Sequence, residues 1–407
     1  MMDFESAAVP YLPIRRRQKL RRSLSIAALA VVAALSVGAV RYHLASEPIG
    51  ARVFDQVVST ISVRYYDGDF HGLDWRTLVA RYRPRVTAAQ SIHERYRLLS
   101  EMLATLGDSH TAVFSPADVA AVQDRVAAAL GASFVTLGSQ RVVVRVAPRS
   151  PAAYAGLRPG FIVADANAWD VAALPQAVSV RDPVSGRSFR ATLHVAPGTS
   201  FDDVQAPALD WNTRAHGVGY LRLSSFPNDI GDELGWAIDE LQREPALVLD
   251  LRGNPGGLID AVDATAGVFL PRGALVVTGI GRYRLFGQRR FMATADAGVH
   301  YTGRLAVIVD EHSESGAEAL ASALQIYHRA VIVGERTARH VLGVEVEEPL
   351  ADGGLLRVAT LDMKDAGGGE LEGTGVTPDI VVARTPADIA RGRDPQLRAA
   401  IEAASIR

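Results

Sequence analysis

The chain contains no cysteine among its 407 residues. It therefore has no disulfide, no thiolate nucleophile, no cysteine-ligated metal and no lipid-modified N-terminal cysteine. An HExxH pair, a histidine-rich cluster and a GxxxxGK[ST] phosphate loop are absent from the sequence as well. The net charge is only −2, so nothing in the composition favours nucleic acid. We predict a protein with no metal or other cofactor and no nucleic-acid partner.

One uncharged run is long enough to cross a membrane. Ser23–Val40 holds 18 residues and directly follows the arginine-rich segment Arg15–Arg22. A helix needs roughly 17 to 25 residues to span the hydrocarbon core, and arginines hold their side of a span in the cytoplasm. We predict a single-pass anchor in the inner (cytoplasmic) membrane, with the chain after about Arg41 in the periplasm. The small residues that follow leave open whether the segment is cleaved.

Periodicity divides the chain into regions. Residues 1–45 hold the basic cytoplasmic tail and the anchor, and residues 46–118 carry apolar residues at helical spacing. Residues 119–197 change to short strands and turns. Residues 205–384 alternate apolar strands with helices, which predicts an α/β core. Residues 385–407 form a predicted C-terminal helical tail.

The segment Glu311–Gln325, EHSESGAEALASALQ, places small residues directly before a helix. After Gly316, apolar residues at three- and four-residue spacing predict one buried helix face: Leu320, Ala323, Leu324 and Tyr327. Ser315 then lies at the N-terminal end of this helix, where unpaired N–H groups and the helix dipole favour developing negative charge. A serine in this position is either a helix cap or a nucleophile, and the other motifs have to decide between the two.

The region of short strands resembles a PDZ domain. Its S-P-A-x-x-A-G-L-x-x-G run extends from Ser150 to Gly160, although Phe161 stands where the motif usually has aspartate. The resemblance implies an inserted module that binds peptides. Its carboxylate-binding loop would be LGASF, whose backbone amides would receive a C-terminal carboxylate. The residues implied in peptide binding are Leu130, Gly131, Ala132 and Phe134.

Several motifs occur along the chain in a specific order. They are a helical segment, LGDSHT, the PDZ-like signature, VGYLRLSSF, LVLDLRGNPGG, SESGAE, VGERT and LEGTGVTPDI. From about Val53 to Val382 the chain therefore resembles the S41 peptidases, which include the C-terminal processing (tail-specific) proteases and the tricorn-type proteases. The resemblance implies a crotonase/ClpP-like α/β core that follows an N-terminal helical region and carries an inserted PDZ-like domain. The sequence adds the N-terminal transmembrane helix.

The resemblance places the nucleophile at Ser315. The family motif S-A-S-A-S-E has its middle serine catalytic, and this chain has S-E-S-G-A-E, with Glu314 in place of the alanine. Backbone N–H groups of the oxyanion hole stabilise the charge that develops on the substrate carbonyl, and each is worth roughly 3 to 4 kcal/mol of barrier. The implied donors are Gly316 and the glycines of RGNPGG, Gly257 and Gly256.

The resemblance leaves the general base open. Processing proteases use the lysine of G-E-x-T-x-G-K, but Gly334–His340 is G-E-R-T-A-R-H, so a Ser/Lys dyad is excluded. Tricorn-type members use a histidine preceded by a serine, together with a distant glutamate, and these match His110, Ser109 and Glu372. Three alternatives remain: His110 is the base, His340 is the base in place of the lysine, or no competent base is present.

Two main functions fit these motifs. The first is a membrane-anchored, extracytoplasmic serine endopeptidase with a histidine base, which cleaves proteins or peptides and recognises apolar C-terminal tails through the PDZ-like domain. The second is a catalytically inactive S41-like protein that binds peptides. A hydrolase of smaller esters or peptides would also use Ser315. Whether Ser315 is activated separates the enzymes from the binding protein.

A phosphatase fused after about Gly50 is expected to be active, because the arginines before Ser23–Val40 direct the following chain out of the cytoplasm. Enzyme assays of such fusions in whole cells would check this orientation. An inactive phosphatase there, with a cytoplasmic reporter active at the same junction, would show that the predicted orientation is wrong.

Overall fold

The computed structural model describes residues 48–123, 130–148, 150–163, 176–193, 208–214, 217–228, 230–283 and 288–405. The predicted membrane anchor lies outside these residues. Among the helices within them, none is long and apolar enough to span a bilayer.

The described chain begins with three long helices, α1 (Ile49–Arg64), α2 (Trp75–Ala88) and α3 (Ile92–Ala104), and a single 3₁₀ turn at Phe70–Gly72. Asp74 and Ser91 cap α2 and α3, since each side chain accepts a hydrogen bond from the N–H three residues later. After α3 the chain bends through Ser109 and His110 into a short strand and a helix, β1 (Ala112–Phe114) and α4 (Pro116–Gln123).

A small antiparallel sheet follows, with the order β2-β3-β4-β5-β6. Its strands are β2 (Ala132–Leu137), β3 (Gln140–Val146), β4 (Ile162–Val163), β5 (Gln176–Arg181) and β6 (Ser188–Leu193). The short helix α5 (Pro151–Tyr154) begins after Ser150, whose hydroxyl accepts from the N–H of Ala153. The sheet and α5 enclose a separate apolar core.

The LGASF segment is only partly a loop. Leu130 is buried and Gly131 turns the chain with φ 64°, but Ala132 and Phe134 belong to β2. The expectation of a loop over all five residues is wrong, because Ala132 and Phe134 both pair with β3, on either side of a register shift, and pack into the core of the sheet. As the outermost strand, β2 has one edge that pairs with no other strand of the described residues.

From residue 208 onward, strands alternate with helices. The strands are β7 (Leu209–Arg214), β8 (Val218–Leu223), β9 (Ala246–Asp250), β10 (Leu275–Gly281), β11 (Gln288–Met292), β12 (Arg304–Val309), β13 (Val331–Gly334), β14 (Leu342–Pro349), β15 (Leu355–Asp365) and β16 (Ile380–Val381). The helices are α6 (Ile230–Leu241), α7 (Ile259–Phe269), α8 (Gly316–Ile326), α9 (Pro386–Ala390) and α10 (Pro395–Ser405).

The central sheet has the order β16-β13-β12-β9-β8-β7, in which only β7 runs antiparallel to its neighbour. Every residue of β9 is buried, as expected for a parallel strand covered on both faces. The predicted mixed α/β fold is confirmed. Because parallel strands end at the same edge, the loops after β9 and β12 meet there, and these loops carry RGNPGG and SESG.

A third sheet, which the sequence analysis did not anticipate, has the order β1-β15-β10-β11, with β14 also paired to β15. Strand β1 runs antiparallel to β15, with Ala112 opposite Arg357. The N-terminal helices share a core with this sheet, which includes Phe54 and Leu99 on the helices and Leu356 on β15. The turn that carries His110 is thereby held against the later part of the chain.

The C-terminal tail is joined to the RGNPGG loop by a buried ion cluster. The Arg252 guanidinium lies 2.6 Å from the Asp250 carboxylate and 2.9 Å from the Asp394 carboxylate. Burial would raise the pKa of Asp394, but the charge and hydrogen bonds of Arg252 outweigh it and lower this pKa. Ala400 and Ala404 of α10 pack on the central sheet, and Ile389 of α9 packs on the small sheet.

Asp394→Ala is expected to reduce the free energy of unfolding by roughly 3 kcal/mol, because it leaves the buried Arg252 with one carboxylate fewer. Since folding lowers the pKa of Asp394, this stabilisation is present above the unfolded value of about 4 and is lost as pH falls below it. Urea denaturation of both proteins over this pH range would measure the difference. The exposed Asp232→Ala change is the control, with an expected effect within about 0.5 kcal/mol; equal losses would contradict the role of the cluster.

Candidate active site

Ser315 lies directly before α8 in an uncommon backbone conformation, with φ 55° and ψ −112°. Such a conformation in a residue other than glycine is strained and persists only where the surroundings enforce it. The N–H of Ser315 donates to the carbonyl of His340, at 2.9 Å, and to the carboxylate of Glu318, at 3.1 Å. The side chain is half-buried at the N-terminal end of the helix.

Helix α8 is more buried than its periodicity predicted. All residues from Gly316 to Leu324 are buried, because the helix packs in the main apolar core on more than one side. Tyr327, predicted for the buried face, is 43% exposed where the helix ends. A run of alanines permits this, since the small side chains let neighbouring elements approach closely.

The carboxylate of Glu318 organises the backbone around Ser315. Glu318 is completely buried and accepts from the Thr337 hydroxyl at 2.5 Å and from the N–H groups of Arg339 and His340 at 2.8 and 2.9 Å, in addition to Ser315 N–H. Burial raises its pKa, although the four donors favour the charged form. Glu318 thus joins the turn before α8 to the GERTARH loop.

Ser109, His110 and Glu372 form a hydrogen-bonded chain. Ser109 Oγ lies 2.6 Å from His110 Nδ1 and donates to Glu372 at 3.0 Å. Glu372 also accepts from the N–H groups of Ser109 and Val341, at 3.1 and 2.7 Å. A hydroxyl has a single hydrogen, so a Ser109 that donates to Glu372 must accept from Nδ1–H of His110. The Nε2 atom of this tautomer carries a free lone pair.

The surroundings of His110 favour its neutral form. Burial lowers the pKa of His110 to about 4, with smaller contributions in the same direction from His340 and Arg357 and an opposing one from Asp108. Asp108 also fixes the turn, because it accepts from the N–H groups of His110 and Thr111 at 2.8 and 2.6 Å. At neutral pH the imidazole is unprotonated and can accept a proton.

His340, the alternative base, faces a different partner. Its half-exposed ring has Nδ1 3.6 Å from the carboxylate of Glu314. The two residues that replace the family's lysine and alanine therefore lie beside each other. It is the backbone of His340, through its carbonyl and N–H, that contacts Ser315 and Glu318.

Gly256 of RGNPGG packs against the Ser315 turn, and Gly257 packs against Phe226. A Cβ atom on Gly256, whose φ is 91°, would lie 2.8 Å from both the Gly316 nitrogen and the Ser315 Cβ, so only glycine permits this approach. The N–H of Gly256 donates to the side chain of Asn254 at 2.8 Å. The amides of Gly257 and Gly316, in contrast, meet no acceptor among the described residues.

These groups line one cleft of about 1150 Å³, which contacts Ser109, His110, Ser315, Gly316 and Gly257. Much of the remaining wall is apolar, with Phe226, Leu258, Phe291, Leu342, Leu361 and Met363. His110 and Ser315 both face this space, and within the described residues no hydrogen bond joins them. No cluster of three or more potential metal ligands occurs in the described part of the chain.

Comparison with known families identifies the fold around this cleft. Residues 217–382 match peptidase family S41, and residues 51–104 match the tricorn protease C1 domain. The chain carries an S41 peptidase domain. The resemblance to the S41 peptidases is confirmed, and Ser315 lies in the matched region, whereas Ser109 and His110 of the same cleft precede it.

Individual relatives support the same classification. Tricorn protease homolog 2 of Streptomyces coelicolor is 28% identical over 87% of this chain, which spans only 32% of that protein. The carboxyl-terminal-processing protease of Synechocystis sp. is 28% identical, with 84% of each chain covered. Among solved structures, the photosystem II D1 C-terminal processing protease gives a TM-score of 0.59 at 24% identity, covering 83% of this chain and 93% of that one.

A second solved structure, mature CPAF complexed with lactacystin, gives a TM-score of 0.58 at 14% identity and covers 88% of this chain and 97% of that one. At such identities the two structures demonstrate a shared fold. The S41 domain of this chain is therefore similar in architecture to these proteins, while its site has to be judged from its own residues.

The sequence motifs did not identify Glu318 as a buried carboxylate that accepts four hydrogen bonds. A signal was present, because Glu318 is a lone acidic residue in an apolar, alanine-rich helix of the S41 domain. A carboxylate in that position has to find donors if it is to be buried.

Glu318→Gln is expected to lower the free energy of unfolding by roughly 1.5 to 3 kcal/mol, because the amide NH₂ cannot accept from the N–H groups that the carboxylate oxygens now satisfy. Chemical denaturation would measure the change. Glu314→Gln, at the partly exposed neighbouring position, serves as the matched control and should change stability by less than about 0.5 kcal/mol. Equal effects of the two changes would mean that Glu318 does not organise the turn.

Proposed function

We propose that this protein is a serine endopeptidase in which Ser315 is the nucleophile and His110 is the general base. The chain of hydrogen bonds from Glu372 through Ser109 to His110 carries the proposal, since it ends at a cleft that also exposes Ser315. The relationship to processing proteases supports peptide bonds as the substrate. In the proposed mechanism, the hydrogen bond between Ser315 and His110 forms when a substrate is bound, since such contacts tighten in the complex with substrate.

The proton moves along a defined route in this mechanism. As Ser315 Oγ attacks the substrate carbonyl carbon, its proton passes to Nε2 of His110. The imidazolium keeps its Nδ1–H bonded to Ser109 Oγ, and the Ser109 hydroxyl continues to donate to the carboxylate of Glu372. The negative charge of Glu372 thus stabilises the imidazolium through one hydroxyl group. His110 then protonates the leaving amine, and water releases the acyl group by the reverse sequence.

Charge on the substrate oxygen would be stabilised by Gly257 and Gly316. Their N–H groups have no acceptor among the described residues, and the N-terminal end of α8 adds a favourable dipole. Gly256 has a different part in this proposal, because Asn254 already takes its N–H. We assign it to the close approach of the loop and not to the oxyanion hole.

His340 supports the nucleophile through its backbone in this proposal. Its ring is exposed and paired with Glu314, and its carbonyl accepts from Ser315 N–H. The position that holds a lysine base in the processing proteases would here hold a positioning residue.

We further propose that the small sheet is a PDZ-like module for apolar C-terminal tails. One edge of β2 pairs with no other strand of the described residues and can accept an added peptide strand, and the turn at Gly131 precedes that strand as a carboxylate-binding loop would. At the other end of β2, the N–H of Gly138 donates to Glu311 at 2.6 Å, in the loop that leads to Ser315. Peptide binding and the nucleophile loop would thereby be connected.

The wider assignment is a crotonase/ClpP-like core held at the periplasmic face of the inner membrane. The nucleophile that follows β12 of a parallel sheet supports the first part. The arginine-rich segment before Ser23–Val40 supports the second. The alternative, an inactive peptide-binding protein, uses the same cleft and differs only in the reactivity of Ser315.

In a fluorophosphonate-labelling experiment, Ser315 of the parent is expected to react and the Ser315→Ala protein to remain unlabelled. His110→Ala should slow labelling by roughly 10⁴-fold, because the base is lost. Glu372→Gln should slow labelling less. His340→Ala, the matched histidine control, should leave the labelling rate nearly unchanged. Since burial lowers the pKa of His110 to about 4, the rate should hold from neutral pH down to about 5 and fall as pH drops through about 4.

Other outcomes would decide against this mechanism. Loss of labelling in His340→Ala alone would mean that His340 is the general base, at the position of the lysine in the processing proteases. A parent that reacts at no pH, although peptides still enter its cleft, would favour the peptide-binding protein.

A further inference from the structure

A second concave region adjoins the cleft at the end of the β10–β11 hairpin. This region, the basic recess, has a volume of about 520 Å³ and is lined by Arg64, Arg282, Arg289, Tyr283, Glu345 and Thr360, among others. Three of its lining residues, Arg289, Glu345 and Leu361, also line the cleft of Ser315. The recess and the cleft therefore share the wall that these residues form, and a chain bound in the cleft can extend past them into the recess.

The charges around the recess do not balance. Arg64 is exposed at the end of α1 and pairs with no carboxylate among the described residues. Arg282 donates to the carbonyl of Tyr65 at 3.3 Å and lies 5.3 Å from the centre of the Phe70 ring, again without a carboxylate partner in the described chain. Of these three arginines, only Arg289 forms an ion pair within the described residues, with Glu345. Three guanidinium groups thus face one carboxylate.

The contacts of Arg282 fix its position more firmly than those of an ordinary surface arginine. The aromatic ring of Phe70 beneath it and the carbonyl beside it orient the guanidinium before any ligand binds. Val63 and Tyr283 expose apolar surface next to it, at 59% and 68%. The recess therefore offers oriented donors beside an apolar wall.

We propose that the basic recess binds a carboxylate of the substrate chain, at a position several residues from the bond cleaved at Ser315. The planar fork of a guanidinium matches the two oxygens of a carboxylate, and two arginines without carboxylate partners leave that charge to be supplied by a ligand. The carboxylate is either an acidic side chain or the free C-terminus of the substrate. The inference rests on the proposed peptidase function, because the recess can bind part of a substrate only through its position next to the cleft.

The test uses short quenched-fluorescent peptides of alanine and leucine. Each carries one glutamate at a different position, with glutamine at the same position in a matched peptide, and every peptide is made with a free and with an amidated C-terminus. We expect kcat/KM to be about 3- to 10-fold higher for the carboxylate in the favoured position than for its amide counterpart. Salt should reduce the preference, since the recess is open to solvent.

Arg64→Glu is the variant that tests the site, because the exposed side chain of Arg64 makes no contact on which folding depends. It should abolish or reverse the preference while leaving cleavage of the amide peptides nearly unchanged. Arg81→Glu on α2 is the matched control, since it makes the same charge change at an exposed position that lines neither the recess nor the cleft. It should retain the preference.

Anisotropy measurements of peptide binding to the Ser315→Ala protein separate this inference from the peptidase function. A carboxylate preference in binding that Arg64→Glu removes supports the recess even if the parent cleaves nothing. A preference for the glutamate peptides identifies a side-chain carboxylate, and a preference for the free C-terminus identifies the chain end. Equal binding and cleavage of all peptides, or a preference that survives Arg64→Glu, would overturn the inference.

Discussion

The arrangement of the site depends on the hydrogen bonds that the carboxylate of Glu372 accepts. It accepts from the N–H and hydroxyl of Ser109 and from the N–H of Val341, and so joins the turn after the N-terminal helices to the GERTARH loop. Glu318 accepts from the N–H groups of His340 in that loop and of Ser315 before α8. Two carboxylates, each with several donors, thus connect segments far apart in the chain. Neither could be replaced by an apolar side chain without leaving these N–H groups unsatisfied.

The motifs predicted the members of the site better than the contacts between them. The motifs named Ser109, His110, Ser315 and Glu372, with His340 as an alternative base, and the structure places the first three around one cleft with Glu372 bonded to Ser109. Periodicity also predicted the alternating strands and helices of the α/β core, because it reports which faces are buried. Periodicity does not report which strands and helices contact one another. The β1–β15 pairing, which brings His110 to the core, and the irregular register of β14 on β15 depend on long-range contacts that no local pattern encodes.

The changes from the lysine-type motif form a consistent set. Glu314 replaces an alanine and His340 replaces the lysine, and the two side chains lie beside each other, with Glu314 in the wall of the cleft. A lysine at this position would put a positive charge near His110. The His340 ring already acts to lower the pKa of His110. The position of the family's lysine is thus taken by a half-exposed histidine that lies beside an acidic residue.

The shortness of β1 affects the fraction of molecules in which the site is assembled. Only Ala112, Val113 and Phe114 pair with β15, and the helical region before them packs on that sheet through its own core. Short, partly exposed strands open more readily than the buried strands of a central sheet. A molecule in which β1 has opened keeps its S41 core and the turn at Ser315, yet it no longer holds the turn with His110 against the cleft. The fraction of molecules with an assembled cleft is then set by the opening equilibrium of β1, so a ligand that packs on β1 would raise that fraction without touching Ser315 or His110.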